Sequence, residues 1–317
     1  MPSRETADLS ETTRDMDRTV VEAWVVPWIG EVPLQKVSAR DLDRLYRELR
    51  TRGGRGGRPL RGKSVRNVHV TMHKALHDAV RRGHLVVNVA DAVDPPTRDD
   101  SIERTAWTRE QVRRFLEVAG GDRLHAVWKL AFATGLRRGE LIGLRWDDLD
   151  GGAVHVRRQV LVRPRAVRGQ RRVYVRQTLK NRRARRVRLD ERTVSELRRW
   201  KAEQNEERLA FGAAWKSDGG LGIEAEWIVT EPDGAVVHPD TLLGRWRRLV
   251  RVAGVPAIPL HGARHSYVEL ALSSGVRLDV VSRAIGHSSA AFTADQYSHD
   301  SDEAATEAAE RVARAIE

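Results

Sequence analysis

Between Arg157 and Arg188 the chain carries 14 lysines and arginines and no aspartate or glutamate. A run of like charge repels itself and is often a solvated tail or linker. Here it is interleaved with β-formers: Val160, Val162, Val173, Tyr174 and Val175. Successive strand residues point to opposite faces, so the pattern predicts strands with a basic face rather than a disordered insert. A second run, Arg50 to Arg66, holds 7 basic residues and again no acid. With a net charge of +12, the chain calls for a polyanionic partner, most simply nucleic acid. Each phosphate neutralised releases a counterion, so binding should be strong and steeply salt-dependent.

An anionic membrane is the competing polyanion. No uninterrupted apolar run reaches spanning length, and the start Met1-Pro2-Ser3-Arg4-Glu5 has no signal-peptide core. The sequence has no cysteine, so disulfides and thiolate metal sites are excluded. A cytoplasmic, nucleoid-associated protein with no membrane partner is expected.

Apolar spacing organises the rest. The sequence predicts a helical domain over 1–94, a linker over 95–106, a second domain over 107–300 and a tail helix over 301–317. In the first domain, Val20, Val21, Trp24 and Val25 form one helix face that Pro27 ends or kinks. Ser38 can N-cap a second helix with Asp41 at its third position. Ser64 to Arg82 forms a third, and a short element follows from Val86 to Val93. Asp94-Pro95-Pro96 opens the linker. In the second domain Thr108 caps a helix, a second spans about Asp122 to Thr134, and a third starts near Arg137. Gly151-Gly152 opens a β segment reaching about Leu189. Asp190 starts a long charged helix, Phe211 to Gly222 is a loop, and Trp227-Ile228-Val229 reads as a short strand. From Pro239 onward the pattern is helical, broken by Pro256, Pro259, Gly275 and Gly286. The fold class is mainly α with a small antiparallel β-sheet.

The chemistry-bearing residues cluster late. They read His261-Gly262-Ala263-Arg264-His265, then Gly286-His287, then Tyr297-Ser298-His299. Far upstream stands Thr134-Gly135-Leu136-Arg137-Arg138-Gly139-Glu140. Cleaving a phosphodiester without a metal needs an in-line nucleophile, cations for the charged transition state and a proton donor for the leaving oxygen. The planar fork of arginine suits the second task and lysine the third.

These boxes resemble those of the tyrosine recombinases of the phage integrase type, and the resemblance runs from about Thr12 to about Arg314. Ala133 to Arg137 and Leu144-Arg145-Trp146 look like the first arginine box. His261 to His265 is similar to the H-x-x-R-H box, with Gly262 and Ala263 where relatives often have Asp and Leu. Ile285-Gly286-His287-Ser288-Ser289 is similar to the L-G-H-S box, and Tyr297 falls ten residues after His287, at the place of the family's nucleophile. Lys180, in Gln177 to Arg182 ahead of Arg185 to Leu189, is identified with the hairpin lysine.

The resemblance implies roles. Tyr297 attacks the scissile phosphate, Arg137 and Arg264 hold its oxygens, His261 takes the tyrosine proton, His287 donates a hydrogen bond, and Lys180 protonates the leaving oxygen. It implies a core-binding domain and a catalytic domain closing as a clamp on double-stranded DNA. It implies a homotetramer on two duplexes, with the tail helix as a protomer contact. An excisionase or a host DNA-bending protein is a candidate partner, and no cofactor or metal is implied. About ten residues precede the first helix, so the upstream arm-binding domain of many integrases is expected to be absent. Two alternatives stay open: a catalytically silent DNA-binding relative, and a type IB-like topoisomerase.

Other polar groups have blander readings. His69, His73 and His77 are spaced by four, but no carboxylate or cysteine cluster completes a metal set. A polar helix flank facing DNA is expected. Tyr46, Tyr174 and Tyr267 are expected to pack or face DNA, His265 to serve structurally, and most of the nine tryptophans to fill helix cores.

Overall fold

The computed structural model describes residues 11–54, 56–97, 105–164, 171–176 and 184–286. The chain divides into two compact units, Met1–Glu103 and Arg104–Glu317.

The first unit is helical. Helix α1 (Glu11–Val20) runs into a π turn (Val21–Val25) and then a short helix, α2 (Val26–Ile29). Pro27 therefore does not end the helical path. It sits in the first turn of α2, where its missing N–H costs nothing. Helix α3 (Ala39–Arg52) starts at the expected cap: Ser38 Oγ and the Asp41 carboxylate satisfy each other's backbone N–H groups. Helix α4 (Gly62–Arg81) begins two residues before the predicted Ser64. Leu42, Leu45, Leu49, Val65 and Val68 are fully buried between these helices.

The histidine spacing on α4 is put to structural use. His69 is buried, 6% exposed, and its Nδ1 lies 3.1 Å from the Tyr46 hydroxyl. This corrects the expectation of a DNA-facing flank. Burial, then the charges of His73 and Arg66, lower the His69 pKa, while burial raises that of Tyr46. Both shifts favour the uncharged forms of the pair. His73 Nε2 meets Asp91 Oδ1 at 2.7 Å, tying α4 to the 3-10 turn Val89–Ala92, while His77 is exposed. Among the described residues no group of His, Asp and Glu could hold a metal ion.

In the second unit Thr108 and Gln111 form a capping box at the start of α5 (Arg109–Ala119). Helices α6 (His125–Thr134) and α7 (Arg138–Ile142) follow. Among the described residues, the basic segment forms strands. Strands β1 (Leu149–Asp150), β2 (Ala153–Val156) and β5 (Arg185–Arg188) form one antiparallel sheet, and β3 (Gln159–Pro164) pairs with β4 (Arg171–Arg176) in another. Asp190 caps the long helix α8 (Glu191–Phe211). Helices α9 (Pro239–Ala253), α10 (Leu260–Ser273) and α11 (Leu278–Ile285) complete the described chain.

Residues 227–229 are not a strand; only isolated bridges join Arg145 to Trp227 and Thr230 to Val236. The reason is competition for carbonyls. Trp200 Nε1 donates to Ile228 O at 2.8 Å, and Gln204 Nε2 reaches Trp227 O and Ile228 O at 3.3 and 3.2 Å. Side chains of α8 thus occupy oxygens that a ladder would need.

The core is aromatic. Trp107 stacks on Trp246 with ring centroids 5.3 Å apart, and Phe115 lies 4.7 Å from Trp246. Trp107 is 1% exposed; its backbone N–H donates to Ser266 Oγ at 2.8 Å and its indole N–H to Pro256 O at 2.8 Å. Among the described residues no helix is long and apolar enough to cross a membrane.

Candidate active site

The site is built where three helix ends meet. Helix α6 stops at Gly135, whose φ of +60° gives the left-handed cap that lets the chain reverse. A side chain there would also collide: an added Cβ would sit 2.7 Å from Tyr267 Cδ1. Two residues on, Arg137 occupies the N-cap position of α7. Its side chain is one-third exposed and donates through Nη1 to Glu140 Oε1 at 3.0 Å, and its backbone N–H donates to Glu140 Oε2 at 3.0 Å.

Arg264 comes from the second turn of α10 and is 2% exposed. One Nη donates to Gly135 O at 2.9 Å and the other to Ile285 O at 2.7 Å. Those carbonyls stand at the ends of α6 and α11, where the helix ladder leaves oxygens without partners. The buried guanidinium thereby fixes the turn carrying Arg137 to the turn that leads into Gly286-His287. His261 lies exposed in the first turn of α10, its ring edge-on to His265 with centroids 5.0 Å apart. His265 is 9% exposed. Gly262 and Ala263 are packing positions: a Cβ on Gly262 would meet Ile258 Cδ1 at 2.7 Å, and Ala263 is 2% exposed.

Two further residues belong to this arrangement. Glu140, 2% exposed, receives Arg185 through both oxygens, Nη1 to Oε1 at 3.1 Å and Nη2 to Oε2 at 2.7 Å. Arg185 Nε then donates to Ala284 O at 2.7 Å. Burial alone pushes the Glu140 carboxyl up, but the hydrogen bonds and charges of Arg185 and Arg137 outweigh it and hold the group below the usual carboxylate range. Sequence reasoning passed over Arg185 among its basic neighbours. The available signal was strand alternation: Arg185 shares a strand face with buried Val187, while Arg186 and Arg188 are exposed.

Tyr267 lies beside the same groups, packed with Val268, Val281 and Ile285. Burial raises its pKa against the opposing charges of Arg264 and Arg185. It is a packing residue, as expected. Lys180, His287 and Tyr297 lie outside the described residues, as does the predicted tail helix.

Residues 106–304 match the model of the Phage integrase family. The chain belongs to the phage integrase family. A tyrosine recombinase XerC-like protein of Caldanaerobacter subterraneus is 29% identical over 247 residues, covering 75% of this chain and 62% of that protein. The chain thus spans under two thirds of that relative's length. Among solved structures, the Tn1549 transposon integrase in complex with transposon right end DNA aligns over 98% of this chain and 96% of its own, at a TM-score of 0.79 and 20% identity. A lambda integrase tetramer bound to a Holliday junction aligns over 94% of this chain and 76% of its own, at 0.60 and 15%. These likenesses give the phage integrase fold: mainly helical, with small antiparallel sheets.

Proposed function

We propose that this phage integrase family member is a site-specific DNA recombinase that cuts and rejoins duplex DNA through a 3′-phosphotyrosyl link to Tyr297. The observation that carries the reading is the pairing of Arg137 and Arg264. Residues 127 positions apart in sequence are joined through Gly135, whose carbonyl accepts from Arg264 while its left-handed turn presents Arg137.

In this reading the Tyr297 oxygen bonds to phosphorus as the bond to the 5′ oxygen breaks. The tyrosine proton passes to His261, Lys180 supplies a proton to the departing 5′ oxygen, and His287 hydrogen-bonds the phosphate. Arg137 and Arg264 meet the charge that grows on the non-bridging oxygens. The phosphotyrosyl ester conserves the bond, and a 5′-hydroxyl from another strand reverses the step. The domain division is 1–94 for core binding, 95–106 for the linker and 107–300 for catalysis. Four protomers on two duplexes complete exchange, a stoichiometry supported by the lambda integrase tetramer that shares the fold.

The test uses duplexes selected by this protein from a randomised pool, each then nicked next to the bound core to trap the covalent step. Wild type should give a denaturant-resistant protein–DNA adduct and Tyr297→Phe none. An adduct formed equally well by Tyr297→Phe, or tight binding without any adduct, overturns the reading; the second outcome indicates a silent DNA-binding relative. Relaxation of plasmids lacking the site indicates a topoisomerase.

A further inference from the structure

We infer that Arg185 is a positioning residue for cleavage: it balances the charge of Glu140 so that Arg137 remains available to a phosphate, and it locks the end of α11 to the same carboxylate. The inference rests on the recombinase reading above.

The argument begins with charge. Glu140 is a buried carboxylate between two guanidiniums, Arg137 and Arg185. A buried carboxylate that loses one partner holds the remaining one more tightly, because little solvent screens the attraction. Arg185, itself 9% exposed, makes the two-point contact with Glu140, whereas Arg137 uses one nitrogen and stays one-third exposed. The division of labour leaves Arg137 only partly committed.

Geometry adds a second link. The Nε of Arg185 holds Ala284 O and an Nη of Arg264 holds the adjacent Ile285 O. The two arginines thus grip consecutive carbonyls at the end of α11. Gly286 then turns the chain at φ +67°, and an added Cβ there would meet Arg185 Cδ and Nη1 at 3.1 Å. The glycine of the Gly286-His287 pair is needed both for its conformation and for the arginine packed against it. One strand residue therefore reaches the supports of both Arg137 and the segment entering His287.

The groups facing Glu140 are Arg137 from the preceding turn and Arg185 from β5; Tyr267 of α10 lies near Arg185. In Arg185→Met, Glu140 keeps only Arg137 and takes up a proton at a higher pH than in wild type. Protonation releases Arg137, so the ratio of variant to wild-type cleavage should rise as pH falls. Replacing the carboxylate in Arg185→Met/Glu140→Gln should restore rate in the same way.

The experiment measures single-turnover adduct formation by full-length protein on the nicked duplexes, with binding affinity measured alongside. Arg185→Met should cleave about 30-fold more slowly at unchanged affinity, less than the 10²–10³-fold that deleting a transition-state donor costs. The double variant should recover at least fivefold. A merely structural role predicts a double variant no better than the single and a variant-to-wild-type ratio that is flat with pH; either result overturns the inference. If wild type itself forms no adduct, the recombinase reading fails first. Arg185 is then judged by whether the Glu140 carboxyl, followed by isotope-edited infrared spectroscopy, protonates at higher pH in Arg185→Met; no change overturns it.

Discussion

Substituting Gly135 tests the heart of the site, because one glycine serves three tasks. It ends α6 in the left-handed region, lies against Tyr267, and offers its carbonyl to Arg264. Gly135→Ala places an L side chain at φ +60°, at a cost of about 1–2 kcal/mol. It also drives a methyl to 2.7 Å from Tyr267 Cδ1, and forcing a packed site to accept an extra carbon costs about 1–3 kcal/mol more. The expected loss is about 2–5 kcal/mol, which for a unit of this size lowers the melting temperature by roughly 5–15 °C. Tryptophan fluorescence follows it, since Trp107, Trp128, Trp200 and Trp246 are all buried in the second unit. A double-mutant cycle separates the terms: with Tyr267→Leu in the background, Gly135→Ala should cost only about 1–2 kcal/mol, the backbone part. Below its melting range the single variant should still cleave about 10–100-fold more slowly, because the carbonyl held by Arg264 and the turn holding Arg137 both shift. An unchanged melting temperature, or an equal cost in both backgrounds, refutes the steric account.

Two further outcomes follow from the packing. Tyr267→Phe should change adduct formation less than threefold, because burial keeps that hydroxyl protonated and its role is packing; loss of the adduct would make Tyr267 a candidate nucleophile. Ser38→Ala should destabilise the first unit by about 1 kcal/mol at neutral pH through the lost capping box, read by urea unfolding. The side-chain and backbone hydrogen bonds of Ser38 depress the Asp41 pKa, so this stabilisation is present above the unfolded value near 4 and fades as pH falls through the folded one. The gap between Ser38→Ala and wild type should shrink in acid; a gap that widens contradicts the linkage.

Local chemistry was the most legible part of the chain. Ser38, Thr108 and Asp190 stand as helix caps where their side-chain oxygens and neighbours place them. The alternation of valine with arginine gave strands. What could not be read were choices decided by distant partners. The 227–229 run has strand composition, but Trp200 and Gln204, two dozen residues away, claim its carbonyls. His69 sits at the spacing of an exposed flank, yet Tyr46 on another helix draws it into the core. At the site, the motif residues announced themselves by type, whereas Glu140 and Arg185 matter through an ion pair spanning 45 positions that no local pattern records.

Trp107 gives the second unit a mechanical property. The chain entering the unit is anchored within a few residues, by a buried indole and by a backbone N–H bound to Ser266. Ser266 lies two residues past Arg264 on the helix that also carries His261. Through Trp107 the start of the unit is held at once by Trp246 of α9, by the Pro256 carbonyl and by α10, the helix that carries His261 and Arg264.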